Sequence, residues 1–261
     1  MALENFSYHD TIGIASFLGR GFMNPIDLRL DSTGLMFVLS RSNASNKDVR
    51  ISAVTLDSEF QYEFANWGTE PGNTTHPTSI AFDSDDRIYV PDEYMHNVSV
   101  FDREGNFIKR FGELGSEPGQ FNRPSGLVVD SEDNLIVMDH LNNRVQKLSK
   151  DGDYISSFGS EGTGPGEFDI PHNIRVDPDD RLMVCDRGNN RIQFFDTEGN
   201  YLSEWNDVIQ PDTIHVDEDG IVYVAELEQR VSIFNLEGEL LCRWGKGERL
   251  DEPGEFLGCP H

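Results

Sequence analysis

The chain repeats itself. A unit that opens Arg123-Pro-Ser-Gly-Leu-Val-Val-Asp130 and runs to Gly159 returns as Ile170-Pro-His-Asn-Ile-Arg-Val-Asp177 and runs to Trp205. Matching copies extend from His76-Pro77 to Gly112 and from Gln210-Pro211 to Gly245. A divergent copy opens at Asn24-Pro25, and a sixth opens at Cys259-Pro260-His261. The anchoring prolines 25, 77, 124, 171, 211 and 260 are separated by 52, 47, 47, 40 and 49 residues. A repeat of this size is one supersecondary unit that cannot bury its apolar face alone, so its neighbours must stack on it. The unit itself reads strand, turn, strand, loop, strand, turn, strand. Ile174-Arg-Val-Asp177 is a short first strand, and Pro178-Asp179-Asp180 is turn chemistry. Arg181-Leu-Met-Val-Cys185 is an apolar second strand, and Gly188-Asn189-Asn190 is a loop. Arg191-Ile-Gln-Phe-Phe195 alternates polar and apolar, and Thr197-Glu-Gly-Asn200 turns into Tyr201-Leu-Ser-Glu-Trp205. Four strands in about 40 to 50 residues describe a propeller blade. The spacing predicts five four-stranded blades between residues 23 and 245, with no helix longer than about two turns. No linker divides the chain, so residues 1–261 read as a single domain.

Asn142-Asn143-Arg144-Val145 and Asn189-Asn190-Arg191-Ile192 occupy the same loop of successive units. They resemble the NHL repeat, named for its Asn-His-Leu stretch, and the resemblance covers nearly the whole chain. It implies an all-β, six-bladed β-propeller. The aspartates before these loops, Asp92, Asp139 and Asp186, recur once per blade. They read as loop caps and as partners for Arg144 or Arg191 rather than as catalytic groups. Residues 6–13 look like an outer strand without its blade, because Thr11-Ile12-Gly13 aligns with Arg110-Phe111-Gly112. The N-terminus would then supply the outer strand of the last blade, and the C-terminus its inner strands. On this reading five full blades are present and the sixth is incomplete, C-terminally truncated by roughly 30 residues of repeat. The alternative is an open five-blade structure, which exposes unpaired strand edges.

Charge narrows the function. The formal net charge is −26, from 47 acidic and 21 basic residues, of which five are lysine. Such a surface repels phosphate backbones, so no nucleic-acid partner is expected. Acidic composition with little lysine fits a salty habitat or simply a soluble acidic protein. No apolar stretch reaches membrane-spanning length, and residues 1–5 do not begin a secretory signal, so the expectation is no membrane and a cytoplasmic location. Cys185, Cys242 and Cys259 are odd in number and form no CxxC pair, which excludes a disulfide framework and a cysteine-built zinc site. Cys185 falls in an apolar strand and reads as core. No phosphate-cradling glycine loop or nucleophile elbow is present. Trp67, Trp205 and Trp244 precede inter-blade connections, where packing accounts for them.

In a propeller, the start of each first strand and the loop after each second strand lie at one end of the blades, where function is usually carried. His172 and His261 take the same position after a proline, and imidazole suits zinc, copper or iron. His76 and Asp212 stand where further metal ligands could come from, and water could complete the shell. The bland alternative is that these histidines bond to backbone. The arrangement resembles that of peptidylglycine amidating lyase, an NHL-like six-bladed enzyme whose zinc is held by histidines following prolines. That resemblance implies a divalent metal, zinc first, at His172 and His261. It also implies a catalytic role for Arg41, placed after a second strand, and for Tyr94 in Asp92-Glu-Tyr94. Thr78 stands where the family has a third histidine, and Leu141 where it has its tyrosine, so peptide amidation itself is not implied. Two functions from different classes follow. One is a metal-assisted lyase or hydrolase of a small or peptide substrate, with Arg41 holding an anionic group. The other is a non-catalytic scaffold whose acidic surface favours a basic protein partner.

Overall fold

A computed structural model describes residues 22, 24–41, 49–217 and 219–245. The expected strand at residues 6–13 and the residues around His261 lie outside them. The described residues form five four-stranded antiparallel sheets, each made of strands consecutive in sequence. Blade 1 comprises Pro25–Leu30, Met36–Ser40, Arg50–Val54 and Phe60–Phe64, and blade 2 Ala81–Phe82, Ile88–Asp92, Asn97–Phe101 and Phe107–Phe111. Blade 3 comprises Pro124–Val129, Leu135–Asp139, Arg144–Leu148 and Tyr154–Phe158. Blade 4 follows with Pro171–Val176, Leu182–Asp186, Arg191–Phe195 and Tyr201–Trp205, and blade 5 with Pro211–Val216, Val222–Glu226, Arg230–Phe234 and Leu240–Trp244. The helix among the described residues is a single 3-10 turn, His140–Asn142. No helix there is long and apolar enough to cross a membrane. The described residues fall into two compact units, one made of 22–142 and 146–155, the other of 143–145 and 156–245.

Most second and third strands are covered on both faces, and Met36–Ser40 and Arg191–Phe195 are buried along their length. The outer strands keep an exposed face, as in Phe60–Phe64 and Tyr201–Trp205. In the first unit the core joins Phe37, Leu39 and Ile51 of blade 1 to Ile88, Val90 and Phe101 of blade 2. In the second it joins Met183, Cys185 and Phe194 to Ile214, Val224 and Phe234. Trp205 lies against both Phe194 and Phe234, with ring centroids 4.6 and 5.3 Å away. Trp67 and Trp244 are 47% and 41% exposed, so each packs over part of its surface.

Each first strand is followed by an aspartate that shapes the next turn. Asp177 accepts from the N–H groups of Asp179 and Arg181 and from the Arg181 guanidinium, which closes the turn expected at Pro178-Asp179-Asp180. The turns also tie blade to blade: Ser32 donates to Asp86, and Ser84 to Asp133, each through N–H and hydroxyl.

The aspartates expected to cap loops do so as latches. Asp92 accepts from the N–H groups of Thr75 and His76 on the incoming linker and of Tyr94 and Met95 on its own loop. Asp139 takes the N–H of Asn122 and the amides of Asn142 and Gln146. Asp186 takes the N–H of Asp169, together with Asn189, Arg191 and Gln193. In blade 5 the residue is Glu226, which accepts from Ile209 N–H, Arg230 and Ser232. Thr75, Asn122, Asp169 and Ile209 each sit 17 residues before their acceptor. All four carboxylates are fully buried, which is tolerable only because each is surrounded by donors.

Candidate functional site

In every blade the anchoring proline lies opposite the last residue of the second strand: Pro25 and Ser40, Pro77 and Asp92, Pro124 and Asp139, Pro171 and Asp186, Pro211 and Glu226. The residues flanking the proline and those just after the second strand therefore meet at one end of each sheet. This register brings sequence-predicted residues together, in two separate groups.

The first unit gathers Arg41, His76 and Tyr94. Arg41 Nη1 reaches Glu93 Oε2 at 3.4 Å and the Pro77 carbonyl at 3.5 Å. The other oxygen of Glu93 is 3.2 Å from Arg123 Nη1, so one carboxylate bridges two guanidiniums. Arg123 also lies over the Tyr94 ring, 4.9 Å from its centroid. The His76 ring lies against the same tyrosine, with centroids 3.8 Å apart and planes tilted by 39°. Tyr94 is half exposed, flanked by an imidazole and a guanidinium. Arg123 precedes its proline in a left-handed conformation (φ 59°), a position its N–H holds by donating to His96 Nδ1 at 3.1 Å.

His76 is the chemically distinctive member. Its Nδ1 is buried and has no hydrogen-bond partner. Burial and the Arg41 charge hold its pKa below the usual 6.5, so the imidazole is neutral at pH 7. A neutral ring with an unengaged nitrogen can take a proton or bind a transition metal. Glu93 and Arg41 are each about a quarter exposed, and Arg123 is 41% exposed.

The second unit gathers His172 and Asp212. Asp212 Oδ1 is 3.1 Å from His172 Nδ1 and 3.0 Å from Arg187 Nη1. His172 Nδ1 also lies 3.1 Å from the Asp212 carbonyl. Asp212 is buried, while His172 and Arg187 are about a third and a quarter exposed. The aspartate thus orients His172 and pairs with Arg187. A carboxylate on one ring nitrogen is the arrangement that directs the other toward a metal. Among the described residues, no three His, Cys, Asp or Glu side chains are gathered for a metal ion. His261 is outside the described residues. Cys185 is fully buried and its thiol pKa is pushed up by burial, which fits the core role read from its strand.

Sequence reasoning missed Arg123, the bridging role of Glu93, and the pairing of Arg187 with Asp212. Arg123 and Glu93 are 30 residues apart, and the visible clue was only their repeat positions, before a proline and after a second strand.

A family model described as "6-bladed beta-propeller" matches residues 40–149 and 127–232. No curated protein matches the sequence at a significant level. Among solved structures the chain is similar to a streptogramin B lyase, at 16% identity and a TM-score of 0.63, over 88% of this chain and 70% of that one. It is similar to a catalytically inactive virginiamycin B lyase from Staphylococcus aureus with quinupristin, also at 16% and 0.63, over 88% and 71%. It is equally similar to a chain of a nidogen/laminin complex, at 15% identity and 0.64, over 84% and 79%. At these identities the likeness is one of fold, shared by lyases and by a protein-binding module alike.

Proposed function

Because the chain belongs to the 6-bladed beta-propeller family, we propose that it uses the residues around its anchoring prolines to act on a small-molecule or peptide substrate, as a metal-assisted lyase or hydrolase. Its blades are of NHL type in this reading. The equivalent Asn142 and Asn189 support this, each bonding both the latch aspartate and a linker carbonyl, at Gly115 and Gly162. The observation that carries the catalytic reading is the neutral His76, its Nδ1 buried and unpartnered, packed on Tyr94 beside Arg41.

In this reading Arg41 orients an anionic group of the substrate through its forked donors. Tyr94 offers a phenol O–H to a leaving or developing oxygen, and the neutral His76 ring packs against it. A divalent metal, zinc first, would be held by histidine nitrogens, with His172 oriented by Asp212 and His261 the second candidate. When bound it would supply Lewis-acid polarisation of an oxygen. A streptogramin B lyase, a virginiamycin B lyase and a chain of a nidogen/laminin complex share the fold, which is thus compatible with an enzyme and with a scaffold. The scaffold alternative would place a basic protein on the acidic surface.

Elemental analysis after dialysis without chelator separates the two readings. Wild type and the single variants His76→Ala, His172→Ala and His261→Ala are compared. Stoichiometric metal in wild type, lost in one or more variants, supports the metal-assisted reading. A metal-free wild type, or unchanged content in all three variants, sinks it and leaves the scaffold ahead.

A further inference from the structure

Two arginines take the same place in two blades and are about equally exposed, yet only one of them meets an aspartate from the next blade. Arg187 follows the last residue of the second strand of blade 4, and Arg41 follows that of blade 1. Arg187 reaches the residue after the next anchoring proline, which is Asp212, at 3.0 Å. The residue after the next proline from Arg41 is Thr78, which carries no charge. Arg41 instead makes two long contacts, 3.4 Å to Glu93 and 3.5 Å to the Pro77 carbonyl, both through Nη1. Among the described residues its Nε and Nη2 find no partner. Arg123 likewise reaches Glu93 through Nη1 alone, and it keeps 41% of its side chain exposed. Two guanidiniums thus share one carboxylate, each with most of its fork unused. A guanidinium fork is shaped for a bidentate carboxylate. Beside it Tyr94, packed between His76 and Arg123, still leaves half of its surface exposed.

We propose that Arg41 and Arg123 form a binding site for the carboxylate of a small carboxylic acid that carries an aromatic ring, whose ring packs against the exposed part of Tyr94 and whose charge displaces the bridging Glu93. The proposal deepens the substrate reading above, since it names the class of ligand that this end of the first unit takes. It does not depend on metal or turnover. The Thr78 position is the specificity determinant: it withholds the aspartate that would occupy Arg41 from within. Glu93 screens the repulsion between the two guanidiniums until a better-matched carboxylate replaces it. Against a net charge of −26, an anionic ligand needs such a local pair of cations to bind at all.

The probe is N-acetyl-phenylalanine, with N-acetyl-phenylalanine amide as its uncharged counterpart, titrated by calorimetry and ligand-observed NMR at fixed moderate salt. The carboxylate is expected to bind wild type at least about tenfold more tightly than the amide, the scale of one charge-assisted hydrogen-bond pair. Arg41→Lys keeps the charge but not the fork and should weaken binding about tenfold. Thr78→Asp should weaken it as strongly while leaving Arg41 in place. Glu93→Gln should tighten binding several-fold. Asp179→Ala, at a side chain that is 72% exposed, should change nothing at this site. Far-ultraviolet circular dichroism confirms that each variant is folded. Equal affinity for acid and amide, or a Glu93→Gln variant that binds no more tightly than wild type, overturns the proposal. A metal-free protein that still binds the acid in this pattern would remove the metal-assisted reading and leave this site standing. A metalloprotein that ignores the acid would do the reverse.

Discussion

Replacing Asp186 with alanine tests whether the repeated carboxylates hold the blades together. Asp186 is fully buried and accepts from Asp169 N–H at 2.8 Å, Asn189 at 2.9 Å, Arg191 Nε at 2.7 Å and Gln193 at 3.0 Å. Removing one partner of a buried ion pair costs about 3–5 kcal/mol. Arg191 keeps Glu204 at 2.9 Å and the carbonyls of Gly164 and Glu167, and Gln193 keeps the Glu167 carbonyl. Those remaining contacts pull the loss toward the lower end, while the stranded Asp169 N–H pulls it up. A loss of about 3–4 kcal/mol is expected, which lowers Tm by roughly 10 °C in a domain of this size. Asp186→Asn keeps one acceptor oxygen but turns an NH2 toward a ring of donors, so it should fall between alanine and wild type. Asp179→Ala is the control: its side chain is 72% exposed and only 3.6 Å from Arg181, so Tm should move by less than about 2 °C. Thermal unfolding followed by circular dichroism, with urea denaturation at 25 °C, measures all three. An Asp186→Ala protein that melts within about 2 °C of wild type refutes the latch.

Two further outcomes follow from the geometry. The folded pKa of His76 lies below its ordinary 6.5, so as pH falls through 6.5 the unfolded chain takes the proton first. Its contribution to stability is complete above 6.5 and is lost as pH drops through the folded value, so acidification should destabilise wild type more than His76→Gln, and an NMR titration of His76 should show a midpoint below 6.5. Gly112 has φ +89°, and an added Cβ would lie 2.6 Å from the buried Phe121 ring, whereas Gly34 has φ +83° with nothing within 4 Å. Gly34→Ala should therefore cost about 1 kcal/mol of backbone strain alone, and Gly112→Ala clearly more, about 3 kcal/mol or above, as read from paired urea midpoints.

The fold was legible because the repeat states it five times over. The strands Arg191–Phe195 and Tyr201–Trp205 lie where alternation and turn residues put them, and Leu182–Asp186 is shifted by one residue from the apolar run that predicted it. The first strand of blade 4 begins three residues earlier than the pattern suggested, at Pro171, because a bulge between Pro171 and Ile174 lets the proline pair with Asp186. Two-residue parallel ladders in the linkers, such as Ser160–Glu161 with Glu167–Phe168, are too short to leave a pattern. The site was less legible. Arg41, His76 and Tyr94 could be named from position, but their company could not. Whether Asp212 offers a ligand oxygen or neutralises Arg187 depends on a contact across 25 residues. No local sequence rule encodes that choice, since charge pairing over such a distance is set by the packed backbone alone.

The latches also bear on how the chain acquires its structure. Each joins a linker to an acceptor only 17 residues downstream, in blades 2, 3, 4 and 5 alike. Closing a loop that short carries a small entropic penalty, and the penalty is the same in each blade. A polypeptide emerging from the ribosome can therefore lock each sheet shortly after its second strand is synthesised, without waiting for distant partners. Assembly can proceed as a series of similar local closures, with little time spent displaying long unpaired strands to other chains.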